Sequence, residues 1–549
     1  MKKIWKKLLG MVLCIALASG ALMGCNNGQQ AQEEVTIDVL MCWNGSTLQS
    51  GVDYTHNKIA DIIAEKTGVR MNYLACTTSE IERLNLAFAT GDVPDLVSAP
   101  FWGAHDGQTL VIKKAAKEGL LMPLNELLEK YGSEFSEAYT HRINADYREN
   151  DLEDPEFNGE HYVIPAGIPA SDEDIINWCH NAYIRKDILE KMGVDPKSIT
   201  SSDKLYELLK AIKARSSEFK DANGNDIIIS GGWHGGYGWE SLINSFVSQR
   251  NMFSSFKVED GQVKLYENTD MKEQQILYMR KLISEGLFDV EAFNQSAAIA
   301  TEKMTTGKLA VVGSTYQLLK ENLPNTLYRE HPEMEYVPLG PIINADGEPY
   351  QNTGVRRTGE TGSTVFFMSK DNKYPEETMK LLNYINSEEG RLLCRYGIEG
   401  EHYEMVDGQP RLTDEWLAKY KEDPKSLQQE GVNLYTSWLQ QSGFQTWYGE
   451  SDYGLSNDVD PRYELAKEYS PITFVDGIYS LNYVALKYPK WDEILTLIQT
   501  GDGGLMSKAM FAATEEEAKE YIRQAREVYE RGGIKEFEAF MTEQVKNQQ

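Results

Sequence analysis

Val35, Ile37, Val39 and Met41 alternate with Thr36, Asp38 and Leu40, and this two-residue period predicts a strand over 35–41. The period then lengthens. Ile59, Ile62 and Ile63 share one face of a predicted helix over 57–66, and Gly68 supplies its stop. Residues 71–75 read as a second strand. Ser79 and Glu82 form a capping box that opens a helix to about residue 89. Gly91 then leads to a short strand at 94–97. The order β-α-β-α-β predicts a parallel sheet covered by helices.

A second α/β region begins near Tyr162. Residues 181–184 read as a strand, 186–192 as a helix stopped by Gly193, and Thr200 with Asp203 as a capping box. The helix that follows carries Leu205, Leu208, Leu209 and Ile212 at i, i+3, i+4 and i+7. Leu309 to Val312 is the unbroken apolar run of a buried strand, and 363–368 is another strand. Pro375 sits where its missing N–H costs nothing, opening a helix with Met379, Leu382 and Ile385 inward. Thr514 and Glu517 cap a long helix that breaks at Gly532-Gly533. No repeat of 20–50 residues occurs.

The first residues follow a different pattern. Four lysines among the first seven residues precede an uncharged apolar run from Leu8 to Gly24, the form of a secretory signal. Its end, Leu22-Met23-Gly24-Cys25, resembles the bacterial lipobox, which implies cleavage before Cys25 and a lipid on that cysteine. An uncleaved anchor is the competing reading, and the run is at the short limit for spanning a bilayer. The amide-rich residues 26–34 read as a flexible tether. No second long apolar run follows, so the rest reads as a soluble extracytoplasmic body.

Length and charge narrow the function. A chain of 549 residues exceeds what one hydrophobic core serves, so two or more lobes are expected. The net charge of −29 repels phosphate backbones and argues against a nucleic-acid partner. Beyond Cys14 in the leader and Cys25, Cys42, Cys76, Cys179 and Cys394 are widely scattered. No zinc or redox spacing occurs among them, and they allow three disulfide pairings or none. The eight histidines show no metal spacing.

Four segments carry a resemblance. Leu86-Ala87-Phe88-Ala89-Thr90-Gly91-Asp92-Val93-Pro94-Asp95-Leu96 resembles a segment of the family 1 extracellular solute-binding proteins, the sugar receptors of bacterial ABC importers. Gly159-Glu160-His161-Tyr162-Val163-Ile164-Pro165 is similar to their crossover, and Tyr183-Ile184-Arg185-Lys186-Asp187-Ile188-Leu189 to a helix start. Tyr374-Pro375-Glu376 through Gly390, then Tyr396-Gly397-Ile398-Glu399-Gly400, resembles the large oligosaccharide-binding lipoprotein branch. The resemblance implies an α/β, two-lobe, periplasmic-binding-protein-like fold with a hinge and an interlobe ligand cleft. It implies a signal at 1–24, a tether at 25–34, one lobe from 35–165 and 341–398, and the other from 166–340 and 399–549. The implied partners are a sugar or oligosaccharide, an importer permease, and a membrane reached through the lipid. A monomer without cofactors suffices for that role.

Sugars present hydroxyl edges and apolar faces, so a receptor needs flat aromatics and planar polar groups. Trp43 with Asn44 follows the first strand, Trp102 follows the 94–97 strand, and Trp178 precedes the strand at 181–184. Ligands gather at strand ends in open α/β sheets. The frame Gly231-Gly232-Trp233-His234-Gly235-Gly236-Tyr237-Gly238-Trp239 is the densest aromatic loop. The resemblance places Trp438 and Trp447 near the cleft. For each tryptophan, packing in the core is the plain alternative. Arg356, with Arg357, reads either as a clamp for an anionic ligand or as a solvated pair offsetting Glu360. Asp221, Asn223, Asn225 and Asp226 suggest a calcium loop, which some relatives carry here. Gly224 is fourth rather than sixth and the twelfth residue is Gly232, so an Asn-Gly turn without metal is the expectation.

Catalysis finds no motif. No nucleophile elbow, H-E-x-x-H, Walker A or dinucleotide fingerprint occurs. The expected function is therefore a tethered receptor that delivers carbohydrate to a permease. A peptide receptor of the same architecture is the alternative, and a secreted glycosidase a weaker one.

Overall fold

The computed structural model describes residues 34–42, 51–101, 107–135, 143, 147–166, 168–169, 179–233, 238–246, 256–324, 326–343, 347, 352–355, 364–423, 425–434, 439–440, 442–443, 461–470, 472–474 and 478–548. The leader, Cys25 and most of the tether lie outside them. In chain order the strands of the first half are β1 (Val35–Met41), β2 (Val69–Ala75), β3 (Leu96–Pro100), β4 (Ile164–Ala166), β5 (Ile168–Pro169), β6 (His180–Arg185), β7 (Ile228–Gly232), β8 (Phe256–Glu259) and β9 (Gln262–Leu265). Those of the second half are β10 (Leu309–Thr315), β11 (Tyr336–Pro338), β12 (Asn352–Val355), β13 (Thr364–Met368), β14 (Tyr403–Val406), β15 (Gln409–Leu412), β16 (Ser442–Gly443) and β17 (Ile472–Phe474).

Two sheets organise the molecule. The first has the order β2-β1-β3-β13-β4 and the second β11-β6-β10-β7. In the first, β1 runs parallel to β2 and β3, as the β-α-β-α-β pattern predicts. β13 returns antiparallel between β3 and β4. The second sheet is mixed: β10 is parallel to β7 and antiparallel to β6.

The local signals are spent as the sequence suggests. The Asn57 side chain accepts from Ala60 N to start the helix Lys58–Thr67, and Gly68 ends it at φ 75°. Ser79 and Thr514 cap Glu80–Thr90 and Glu515–Arg531, each accepting from the backbone N–H three residues on. Ser201, rather than Thr200, caps Ser202–Ala214. The Arg185-Lys186-Asp187 segment is a buried staple. Arg185 is 1% exposed, forks onto Asp187 at 3.0 and 2.6 Å, and donates to the carbonyls of Lys220 and Gly307 at 2.8 and 2.6 Å. A buried guanidinium needs this many acceptors to offset its lost hydration.

Among the described residues five hydrophobic clusters fill the fold. Two lie against the first sheet, one holding Ile37, Val39, Ile63 and Leu382, the other Leu40, Val97, Phe101 and Phe367. Two more flank the second sheet, one with Ile184, Leu209 and Val311, the other with Tyr183, Val312 and Tyr336. The fifth joins the β8–β9 hairpin to the C-terminal helices, with Trp491 set against Phe256 and Phe537 at 6.5 and 5.7 Å.

The domain division expected from the sequence needs one correction. Described residues between 403 and 439, expected in the second lobe, pack with the first: Tyr403, Leu412, Trp416, Leu427, Val432 and Leu439 are buried with Ile37 and Ile63. The loop is seated on the first helix, where Ile59 N donates to Glu430 O at 3.0 Å. Hairpin and helix patterns state that a face must be covered, not by which lobe. The helix Ile478–Leu486 also reaches the first lobe, burying Tyr483 beside Phe101 and Ile112 while Tyr483 Oη donates to the buried Asp151.

Candidate ligand-binding site

The chain passes between the sheets from one edge to another. β4 ends at Ala166, opposite Thr364, and Thr364 lies opposite Pro100 at the end of β3. The ends of β1 and β3 therefore share this edge with the start of β13. At the second sheet, His180 pairs with Thr315 and Gly232 with Gly313, which brings the start of β6 and the ends of β7 and β10 to one edge. The passage after β4 enters at β6, and the passage after β11 leads by β12 to β13. Short parallel pairs lie along these passages, β5 with β16 and β12 with β17.

Two polar side chains stand out at these edges. Asn181 is 2% exposed, and its Oδ1 accepts from Ala182 N at 2.8 Å, but its Nδ2 has no partner. Thr364 is 1% exposed and its Oγ1 likewise has no partner. Buried polar groups are nearly always satisfied, and an unsatisfied one costs about 1–3 kcal/mol. His180, at the same edge as Asn181, is held by its surroundings down to a pKa of about 4, so its imidazole is neutral at physiological pH. Neither Asn181 nor Thr364 was visible in the sequence, since a single Asn or Thr in a strand carries no mark of being unpaired.

The aromatic loop is anchored by charge. Gly231 packs against Asp289, leaving a Cβ there only 3.3 Å from the Asp289 Cβ. Lys303 is buried and donates to Asp289 at 2.6 Å, Glu291 at 2.9 Å and Gln295 at 3.0 Å, using all three ammonium protons. Burial alone would lower the Lys303 pKa, but the two carboxylates outweigh it and hold it above the usual value. Gln295 Nε2 donates in turn to Gly232 O at 3.0 Å, fixing the backbone just before Trp233. Gly238 then returns at φ 83°, so close to β10 that a Cβ on Gly313 would lie 2.0 Å from Gly238 O.

Trp233 and Trp239 therefore leave this frame toward different clusters. Trp233 is half-buried against the Tyr183–Val312 cluster. Trp239 is half-buried against the Ile184–Val311 cluster, with its ring 5.5 Å from Phe293 in an edge-to-face contact. The remaining candidates, Trp43, Asn44, Trp102, Trp178, His234, Tyr237, Arg356, Trp438 and Trp447, lie outside the described residues. Their described neighbours are informative in two cases: Cys42 and Phe101, which precede Trp43 and Trp102, both lie at the first sheet's site edge.

The suspected calcium loop is a self-contained turn. Asp221 Oδ1 accepts from Asn223 N and Asn225 N at 2.9 and 2.8 Å, and Oδ2 accepts from Asn225 Nδ2 at 3.2 Å. Lys308 Nζ lies 3.9 Å from Asp221 Oδ2, and Lys220 pairs with Asp226 at 2.5 Å. Calcium requires six to eight oxygens. Here the carboxylates face ammonium groups, and Asn225 spends its amide on Asp221, so the residues present do not fit the ion. Among the described residues no group of three or more His, Cys, Asp or Glu is gathered for a metal.

Two α/β sheets joined by several chain passages define a two-lobe binding protein. The chain belongs to the bacterial extracellular solute-binding protein family, whose family model matches residues 47–392. The substrate-binding protein FusA of a Streptococcus pneumoniae fructooligosaccharide ABC transporter is 25% identical over 308 residues, 52% of each chain. Lipoprotein LipO of Bacillus subtilis is 25% identical over 338 residues, 60% of each chain. The chain thus spans between half and three fifths of these relatives' lengths. In three dimensions it is similar to the alginate-binding protein AlgQ2, solved without calcium ion, with a TM-score of 0.62 and 19% identity over 94% of this chain and 98% of that one. That likeness bears out the α/β two-lobe fold. Among the described residues no helix is long and apolar enough to cross a membrane.

Proposed function

We propose that this chain captures a carbohydrate, most simply an oligosaccharide, between the two sheet edges and presents it to the permease of a bacterial ABC importer. Family membership supports a receptor rather than an enzyme, and so does the lack of any catalytic motif in the sequence. The sugar-transport relative FusA and the alginate-binding AlgQ2 favour carbohydrate over peptide. A lipid on Cys25 would hold the monomeric receptor near its permease, a reading consistent with the lipoprotein relative LipO.

The observation that carries the reading is the pair of unpartnered polar groups, Asn181 Nδ2 and Thr364 Oγ1, at the two edges between which the chain passes. A sugar hydroxyl would satisfy each. Trp43, Trp102, Trp178 and Trp233 would supply apolar faces for the rings, with Asn44, His234, Tyr237, Arg356, Trp438 and Trp447 around them. Trp239, packed on Phe293, contributes to the wall rather than the contact. Closure would turn on the paired strands β5·β16 and β12·β17, which lie along the passages.

Calorimetric titration of the mature chain with neutral oligosaccharides, acidic oligosaccharides and peptides tests this. The expected result is saturable binding of an oligosaccharide that is recovered intact, weakened about tenfold in Thr364→Val and Asn181→Leu, the order of one lost hydrogen bond. Binding of peptides alone, or release of cleaved sugar, would overturn the proposal.

A further inference from the structure

The four cysteines of the body fall into three separate cores. Cys394 is buried among the first lobe's Ile63–Leu382 cluster, and Cys179 beside Tyr183 in the second lobe. Cys42 and Cys76 alone share a cluster, and their Sγ atoms are 3.8 Å apart. Neighbouring parallel strands bring them there. β1 and β2 are in register up to Met41 opposite Ala75, so Cys42 and Cys76 are the next residues on each strand. Adjacent strands lie about 4.8 Å apart, inside the Cα separation of about 4.4–6.8 Å that disulfides span. Small χ1 rotations bring the two sulfurs from contact to bonding distance, about 2.0 Å.

We propose that Cys42 and Cys76 are joined by a disulfide in the exported protein, and that Cys179 and Cys394 remain thiols. Of the six single pairs that four cysteines allow, this is the one the fold permits without unmaking a core. Both sulfurs are fully buried in the folded chain, so the bond forms while the exported chain folds. Each S–H bond breaks and one S–S bond forms by exchange through a mixed disulfide; the two electrons and the two protons pass to the disulfide of an exported thiol–disulfide oxidoreductase, whose S–S bond breaks and which leaves as its dithiol. The bond ties the ends of β1 and β2 together at the site edge, immediately before Trp43. It closes a loop of 34 residues, which restricts the unfolded chain. The proposal rests on export and not on the identity of the ligand.

Peptide mapping by mass spectrometry of the full mature chain, purified from the exporting host and alkylated without reduction, tests it. The expected result is one linked pair of peptides containing Cys42 and Cys76, with Cys179 and Cys394 alkylated. Reduction should also lower the melting temperature of the wild type by several degrees and leave that of Cys42→Ala/Cys76→Ala unmoved. Four alkylated thiols, or any other pairing, would overturn the proposal. An equal response of the wild type and the double variant to reductant would overturn it as well.

Discussion

Single residues explain the family-like motifs better than any function does. The Arg-Lys-Asp segment is structural, since Arg185 spends two hydrogen bonds on Asp187 within its own segment and two on the carbonyls of Lys220 and Gly307, which hold β6 to its neighbours. Arg185→Ala strips the partner from Asp187 and leaves two carbonyls unpaired. It should cost about 3–5 kcal/mol of stability, the range for breaking a buried ion pair, read as a lower denaturation midpoint with an unchanged slope. Asn181 and Thr364 behave in the opposite sense. No hydrogen bond is lost at Thr364 Oγ1 and an unsatisfied hydroxyl is removed, so Thr364→Val should leave the unliganded chain as stable as before or more stable by up to about 1–3 kcal/mol, while weakening the ligand. The sequence could not separate these cases: Arg185 looked like a motif and Thr364 like an ordinary strand residue, because burial and partners are set by the fold.

Elements were the most legible level. The alternation at 35–41, the Ser79 capping box and the Pro375 helix start all stand where the pattern places them, because each is decided within a few residues. Long-range choices were not legible. The hairpin β14–β15 and the helix Asp414–Glu422 show amphipathic faces but no address, and they cover the first lobe rather than the second. The loop between Asp221 and Asp226 was legible for the same local reason as the caps. Calcium or a chelator should leave the melting temperature of the protein unmoved. Acid should not. Burial works to raise the Asp221 carboxyl, but the backbone and side chain of Asn225 and the backbone of Asn223 bring it below its usual value. Its folded pKa is thus lower than its unfolded one, so the turn's contribution is whole above about pH 4 and is lost as pH falls through the folded value. A contribution from this turn that is constant from neutral pH to about 4.5, followed by loss, is expected; Asp221→Asn should shrink the acid limb by this share and leave that of the other lowered carboxylates, such as Asp154 and Glu376.

At the scale of the whole molecule, the two lobes and their passages set what the proposed receptor would do. The C-terminal helices bind both, since Leu481 and Val484 pack with Phe256 and Phe537 while Tyr483 reaches Asp151 in the first lobe. A lipid on Cys25, as proposed, would add place to this mechanism. Cys25→Ser should release a chain that binds its ligand with unchanged affinity but supports uptake poorly, since the local concentration at the permease falls; fractionation and a transport assay measure the two parts. The most direct measurement is a crystal structure of the mature chain with a bound oligosaccharide. The expected result is a sugar held between the two sheet edges, with hydroxyls on Asn181 Nδ2 and Thr364 Oγ1 and a ring stacked on Trp43 or Trp102. A sugar bound elsewhere on the surface, with Asn181 and Thr364 still unpaired, would contradict the account.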